Sequence, residues 1–277
     1  VTDVVLVGPG RIGLAFARAW PDAPCCGRGV AVPVARTTIL CVGEEDLPAA
    51  LAAVPHRARD GVVLIQNGLL APWLARVGAA HVTRGVLYLA ASARDGVAVP
   101  GGTSVFRGPR AAEVAGRLQD AFGGGVAEGI SPPPPEEIVA RAEDDARAYA
   151  RVEAEKLGWT CAFGMLGAVG GGTVGDTLAG QGARLDLLLA ELAPVLAEAV
   201  GVPIDAGSLT TSVRAYAARV AGWRARPKAL AWRNGALLAV AERAGLPDTL
   251  HASVVAEAGL DVAVVRSAAR ALLYSPP

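Results

Sequence analysis

Two things are scarce in this chain: aromatic side chains, which make up 5% of it, and any excess of charge, since 26 Lys and Arg face 26 Asp and Glu. A balanced charge offers no net field to recruit nucleic acid or an anionic membrane surface, so a small-molecule partner is expected. Long apolar runs are missing too. Charged residues interrupt every Ala-, Val- and Leu-rich stretch before the ~18 residues that a membrane span requires, so no membrane association is expected. The chain goes directly into Val4-Val5-Leu6-Val7 and a glycine turn. It shows no basic start, apolar core and small-residue cleavage site of a secretory signal, which predicts a soluble, cytoplasmic protein. Cys25, Cys26, Cys41 and Cys161 lack the dense spacing of a disulfide scaffold and the paired spacing of a zinc site, and are expected to be buried thiols. His56, His81 and His251 lie too far apart in sequence to share a helical face, so no metal site is expected.

What is present is alternation. At 277 residues the chain is about right for two domains. In its first half, short apolar runs alternate with helix-like segments, the pattern of βαβ units with a parallel sheet. Val4 to Val7, Thr38 to Val42, Val62 to Ile65 and Val86 to Ala90 read as buried strands. Ile12 to Trp20 and Leu47 to Val54 carry helical spacing. Right-handed crossovers then predict a doubly wound sheet. Composition changes at Gly123-Gly124-Gly125 and again at Pro132-Pro133-Pro134-Pro135, which places a domain boundary between residues 131 and 132. Beyond it, Glu136-Glu137 suit the first turn of a long charged helix running through Arg141, Asp144, Arg147, Arg151 and Glu155. Leu185, Leu188, Leu189, Leu192 and Leu196 recur at helical spacing, and further helices are expected at Thr211 to Gly222 and Lys228 to Ala244. The second half therefore reads as all-α.

The first strand leads into Gly8-Pro9-Gly10-Arg11-Ile12-Gly13, a G-x-G-x-x-G spacing. With 34 glycines in the chain such a spacing also arises by chance, so its context decides. Between a strand and a helix, Gly8 can make the turn, Gly10 can admit a pyrophosphate and Gly13 can let helix pack on strand, which is a Rossmann dinucleotide site. NAD sites place an acid at the end of the second strand to bind the ribose hydroxyls. Here the second strand, near Ala23 to Cys26, runs into Gly27-Arg28-Gly29. Arg28 offers a guanidinium where a 2′-phosphate would sit, which favours NADPH. The alternative is that Arg28 is a solvated loop arginine.

This loop is joined by Gln66-Asn67-Gly68-Leu69 after a strand, Gly85-Val86-Leu87-Tyr88 followed by Asp95-Gly96-Val97, Lys156-Leu157 early in the helical half, and Asn234-Gly235 before an apolar helix. In their order and spacing these segments resemble the ketopantoate reductase (2-dehydropantoate 2-reductase) family, over nearly the whole chain. The resemblance implies a Rossmann domain followed by an all-α domain, a fold of the 6-phosphogluconate-dehydrogenase-like kind, and NADPH-dependent reduction of a 2-oxo acid. It implies Lys156 as proton donor, Asn67 as a positioning asparagine on the substrate side, Gln66 beside the cofactor, and Asp176 and Asn234 near the substrate. By analogy it also implies a homodimer through the helical half. Apart from the resemblance, Asn67 could be a left-handed turn residue and Lys156 a solvated helix lysine.

The chain departs from the family at several positions. Four and eight residues beyond Lys156, where the family carries asparagines, stand Thr160 and Gly164. Ala229 occupies the place of a glutamate, Val174 that of an asparagine and Gly43 that of a cofactor-side lysine. Unpaired polar groups on bound ketopantoate would cost of order 1–3 kcal/mol each. A different substrate is therefore expected, with Thr160 giving one hydrogen bond and Gly164 and Gly170-Gly171-Gly172 opening space. The leading expectation is an NADPH-dependent reductase of a carbonyl or imine. Two alternatives stand beside it: true 2-dehydropantoate 2-reductase activity, with Thr160, Asp176 or Ser208 rebuilding the lost contacts, and an NADPH-binding protein or non-redox enzyme that has lost hydride transfer.

Overall fold

The computed structural model describes residues 2–91, 98–123 and 139–275. The chain forms two compact units. One comprises the chain up to Gln66 together with Ala79–Tyr149, and the other comprises Asn67–Gly78 and the chain from Ala150 onward.

The first unit opens with β1 (Thr2–Val7), α1 (Arg11–Ala19), β2 (Cys25–Cys26), β3 (Ala35–Leu40), α2 (Leu47–Ala53) and β4 (Val62–Leu64). After β4 the chain contributes α3 (Ala71–Arg76) to the second unit. It then returns as β5 (Thr83–Val86), β6 (Leu89–Ala91), β7 (Ala98–Pro100), β8 (Ser104–Arg107), α4 (Ala111–Phe122) and β9 (Ala140–Ala142). Seven of these strands form one sheet in the order β2-β1-β3-β4-β5-β8-β9, parallel except where β8 runs against β5. Val5, Leu6, Ile39, Leu40, Val62 and Val63 are fully enclosed, as strands of a parallel sheet are when both faces are covered. Phe16 of α1 and Val114 and Leu118 of α4 pack with Leu6, Ile39, Val63 and Phe106 into one cluster.

The strand expected over Val86 to Ala90 is broken. β5 ends at Val86, and β6 pairs instead with β7 in a separate antiparallel hairpin, Leu89 opposite Pro100. Asp95-Gly96-Val97 lie outside the described residues, as do Gly124-Gly125, the four prolines and Glu136-Glu137. The charged helix starts later than predicted, because Ala140–Ala142 forms β9 in register with Ser104–Phe106. Gln119 Oε1 fixes this edge strand by accepting from the amides of Val139 (2.7 Å) and Ala140 (3.2 Å). The first unit therefore runs to Tyr149, past the expected boundary at 131/132.

The helices that follow are α5 (Ala146–Gly170), α6 (Val174–Val200), α7 (Ala206–Arg219), α8 (Asn234–Ala244), α9 (Thr249–Glu257) and α10 (Val262–Tyr274). The predicted leucine face of α6 is buried at Leu185, Leu188, Leu189, Leu192 and Leu196. α8 is the central helix, buried from Asn234 to Ala241 and contacted by α6, α9 and α10. The helix expected from Lys228 begins only at Asn234. Ala229 adopts a left-handed conformation (φ 47°) and a short 3-10 turn, Leu230–Trp232, follows it. Among the described residues no helix is long and apolar enough to cross a membrane. Cys26, Cys41 and Cys161 are buried thiols as expected, whereas Cys25 is exposed.

Candidate functional site

The glycine spacing is explained by close approach. Gly8 has φ +104°, and a Cβ there would stand 2.9 Å from the carbonyl oxygen of Cys41. A Cβ on Gly13 would stand 2.0 Å from the carbonyl oxygen of Gly8, so only glycine lets α1 sit on the loop. Gly10 differs, because no atom lies within 4 Å of where its Cβ would be. It is the extended N-cap of α1, with neither a side-chain cap nor an acid in the first turn. The start of α1 is thus uncapped and open beside Gly10, an arrangement that suits an anion.

A groove of about 690 Å³ opens over this point, lined by Gly8, Pro9 and Gly10 after β1, Cys26 and Arg28 at and after β2, and Val42, Gly43 and Asp46 after β3. The strand order reverses between β1 and β3, and open α/β sheets bind ligands at the carboxyl ends of strands at such a switch point. The groove, the uncapped helix start and the tight glycines fit a dinucleotide.

Arg28 is at the rim. One of its nitrogens, Nη2, bonds both oxygens of Asp46, at 3.0 and 3.1 Å. Sequence reasoning looked for an acid only at the end of β2 and missed Asp46, which arrives from the segment after β3. Gln66 Nε2 donates to the carbonyls of Leu40 (2.7 Å) and Val42 (3.0 Å), and its Oε1 accepts from the Ile65 amide (3.0 Å). This side chain ties the end of β3 to the end of β4. Arg11 is exposed at the start of α1, and Ile12 packs against the sheet cluster.

Lys156, on α5, is only 6% exposed. Its Nζ donates to Tyr216 Oη at 2.9 Å and stands 4.2 Å from the centre of the Tyr216 ring and 4.9 Å from that of Trp159. Burial, reinforced by the charge of Arg233, lowers its pKa to about 7. Burial also pushes the Tyr216 hydroxyl up. Trp159 meets Tyr216 edge to face and stacks on Phe163, and its Nε1 is buried with no hydrogen-bond partner among the described residues. Sequence reasoning missed both aromatics. Trp159 was within reach of it, three residues beyond Lys156 on the same helical face, while Tyr216 comes from α7.

The other predicted residues diverge. Asn67 keeps a buried Oδ1 with no partner among the described residues. Its φ is not positive, so it is no left-handed turn. Gly68 seats closely under Trp232, and the Leu69 amide donates to the Trp232 carbonyl at 2.7 Å. Thr160 Oγ1 donates back to the Lys156 carbonyl at 2.7 Å. Gly164 and Gly167 face the segment 225–227. A Cβ on Gly164 would meet the Arg226 carbonyl oxygen at 3.5 Å, and one on Gly167 would meet that of Ala225 at 2.9 Å. Gly167 lets the segment 225–227 lie on α5, whereas at Gly164 the contact is an ordinary one. Asp176 is a capping residue of α6, accepting from the Thr173 amide (2.8 Å) and hydroxyl (2.9 Å), and those bonds hold its carboxyl below the usual range. Asn234, 2% exposed, donates from Nδ2 to the Cys161 carbonyl (3.2 Å) and to His251 Nε2 (3.0 Å), so its amide nitrogen joins helices. Among the described residues no three His, Cys, Asp or Glu side chains come together as metal ligands.

No family profile matches the sequence, and no curated protein matches it. Solved structures do. A dimeric ketopantoate reductase from Staphylococcus aureus superposes with a TM-score of 0.68 at 16% identity, over 98% of this chain and 99% of that one. A ketopantoate reductase from Ralstonia eutropha JMP134 gives 0.67 at 18% identity with the same coverage. D-mandelate dehydrogenase, solved with NADH and anilino(oxo)acetate, gives 0.65 at 10%, again over 98% and 99%. Together, the sheet order, the glycine groove and the helical second unit define a Rossmann-type fold followed by an α-helical unit. More specifically, the chain has the fold of the ketopantoate reductases, which it matches at 16–19% identity.

Proposed function

We propose that the protein is an NADPH-dependent reductase of a carbonyl or imine group, akin to ketopantoate reductase but with another substrate. The observation that carries this reading is the buried amine of Lys156, held near neutral pKa at the position of the family's proton donor. The helix start at Gly10 would hold the pyrophosphate and Arg28 the 2′-phosphate. When bound, the reduced nicotinamide supplies a hydride to the carbonyl carbon. Lys156 Nζ gives its proton to the carbonyl oxygen, so the sum is ketone, NADPH and one proton to alcohol and NADP⁺. Tyr216 Oη fixes the direction of Nζ, and the Trp159 and Tyr216 rings keep water from it. Asn67 Oδ1 is an acceptor for a donor on substrate or cofactor.

Thr160, whose hydroxyl hydrogen is engaged with Lys156, and Gly164, which has no side chain, leave the hydroxyl and carboxylate of ketopantoate without the family's asparagines. Another 2-oxo acid, ketone or imine is the substrate under this reading. D-mandelate dehydrogenase on the same fold supports such a range. The second unit is assigned to substrate binding and, following the dimeric Staphylococcus aureus protein, to a cytoplasmic homodimer. The test is NADPH oxidation by the purified protein over a panel of 2-oxo acids, ketones and imines. Lys156→Ala is expected to lower kcat by about 100-fold or more while NADPH still binds. Full turnover by that variant would remove Lys156 from the role.

A further inference from the structure

We infer that Asp46 sets the cofactor preference of the groove by competing with a 2′-phosphate for Arg28. This deepens the reading of the groove as a nicotinamide-dinucleotide site and rests on it. Arg28 is the one cation, and Asp46 the one acid, among the described residues lining the groove. Both hydrogen bonds between them use the same arginine nitrogen. Their side chains are 89% and 52% exposed, so the pair lies in water, where such pairs are weak and rearrange at little cost.

The strand end that would supply a second cation supplies an acid. Gly43 stands where the resemblance expects lysine, and the turn Glu44–Asp46 follows it. A 2′-phosphate, with nearly two negative charges at neutral pH, therefore meets a pair that is already neutralised. It gains the guanidinium only by displacing Asp46, whose charge then stays nearby. A 2′-hydroxyl meets no such conflict. Asp46 thus limits whatever preference Arg28 gives the groove for NADPH over NADH.

Asp46→Asn removes the competing charge and keeps the shape. The carboxylate makes no cap bond to α2, so the helix does not depend on it. Fluorescence titration of the full chain with NADPH and NADH is expected to show the NADPH:NADH affinity ratio rising about five-fold in this variant at low salt. The rise should be smaller in high salt, which screens exposed charges. Arg28→Ala should lower the ratio, and the double variant should match Arg28→Ala, because Asp46 acts through Arg28. If both nucleotides bind and Asp46→Asn leaves the ratio unchanged or lowers it, the inference is overturned and the groove reading stands. If the unaltered chain binds neither nucleotide, both are overturned.

Discussion

At the scale of single residues, Lys156 ties catalysis to stability with opposite signs in pH. Under the proposed function the ammonium is the proton donor, and kcat is then expected to fall as pH rises through about 7. Stability runs the other way. The folded pKa lies below the value of 10.5 for the free side chain, so the unfolded chain binds more protons between pH 7 and 10.5 and the fold gains stability as pH rises through that window. Lys156→Met should therefore be more stable than the parent below pH 7, by a margin that shrinks by about 1.4 kcal/mol per pH unit above it, measured by urea unfolding at pH 6 and 9. The glycine loop gives a second contrast. Gly13→Ala places its Cβ on the Gly8 carbonyl and should lower the melting temperature and abolish nucleotide binding, whereas Gly10→Ala has room to fold and should lose affinity only. The glycine triad was legible because its signal is local: strand, tight spacing, helix. The structural bonds of Gln66, Asp176 and Asn234 were not legible, because residues of their type suit a ligand equally well. Their actual partners, Leu40, Thr173 and His251, could be chosen only by the fold.

At the scale of elements, the buried parallel strands were legible from apolar runs, since both faces of each strand meet protein. The edge strand β9 was not. Ala140–Ala142 is short, carries Arg141 in its middle, and takes its stability from Gln119 and its pairing with β8. The start of α8 was also hidden, because nothing in an alanine at 229 announces a positive φ. The joint between α8 and α9 has a measurable consequence. His251 is buried, and burial together with the charge of Arg266 lowers its pKa from 6.5 to about 4. The neutral ring accepts from Asn234 Nδ2. Its folded pKa lies below the unfolded one, so its contribution is complete above pH 6.5 and is lost as pH falls from 6.5 to 4. Replacing it in His251→Gln should flatten the acid side of the stability profile, read from chemical denaturation at pH 4.5 and 7.

At the scale of the whole molecule, sequence composition suggested one division of the chain, and the structure has three crossings between its units: after Gln66, after Gly78 and after Tyr149. Proline and glycine content marks where chain is irregular, not where packing changes partner, so the excursion through Asn67–Gly78 left no compositional trace. That excursion is structural. Trp73 of α3 meets Trp232 edge to face at 5.3 Å, and Arg76 donates to the carbonyls of Leu272 (2.6 Å) and Ser275 (2.8 Å) at the end of α10. A fragment of residues 150–277 should therefore expose apolar surface and bind a hydrophobic dye, and added peptide 67–78 should reduce that binding. Equal dye binding with and without the peptide would show that α3 is dispensable to the helical unit.

The route of the chain through α3 also bears on inheritance. A recombination event that exchanged only the C-terminal half with a relative would leave Trp73 and Arg76 from one parent facing Trp232 and α10 from the other. The two units cannot be shuffled as cassettes. Their histories are coupled through twelve residues that belong to one unit by packing and lie within the other by sequence.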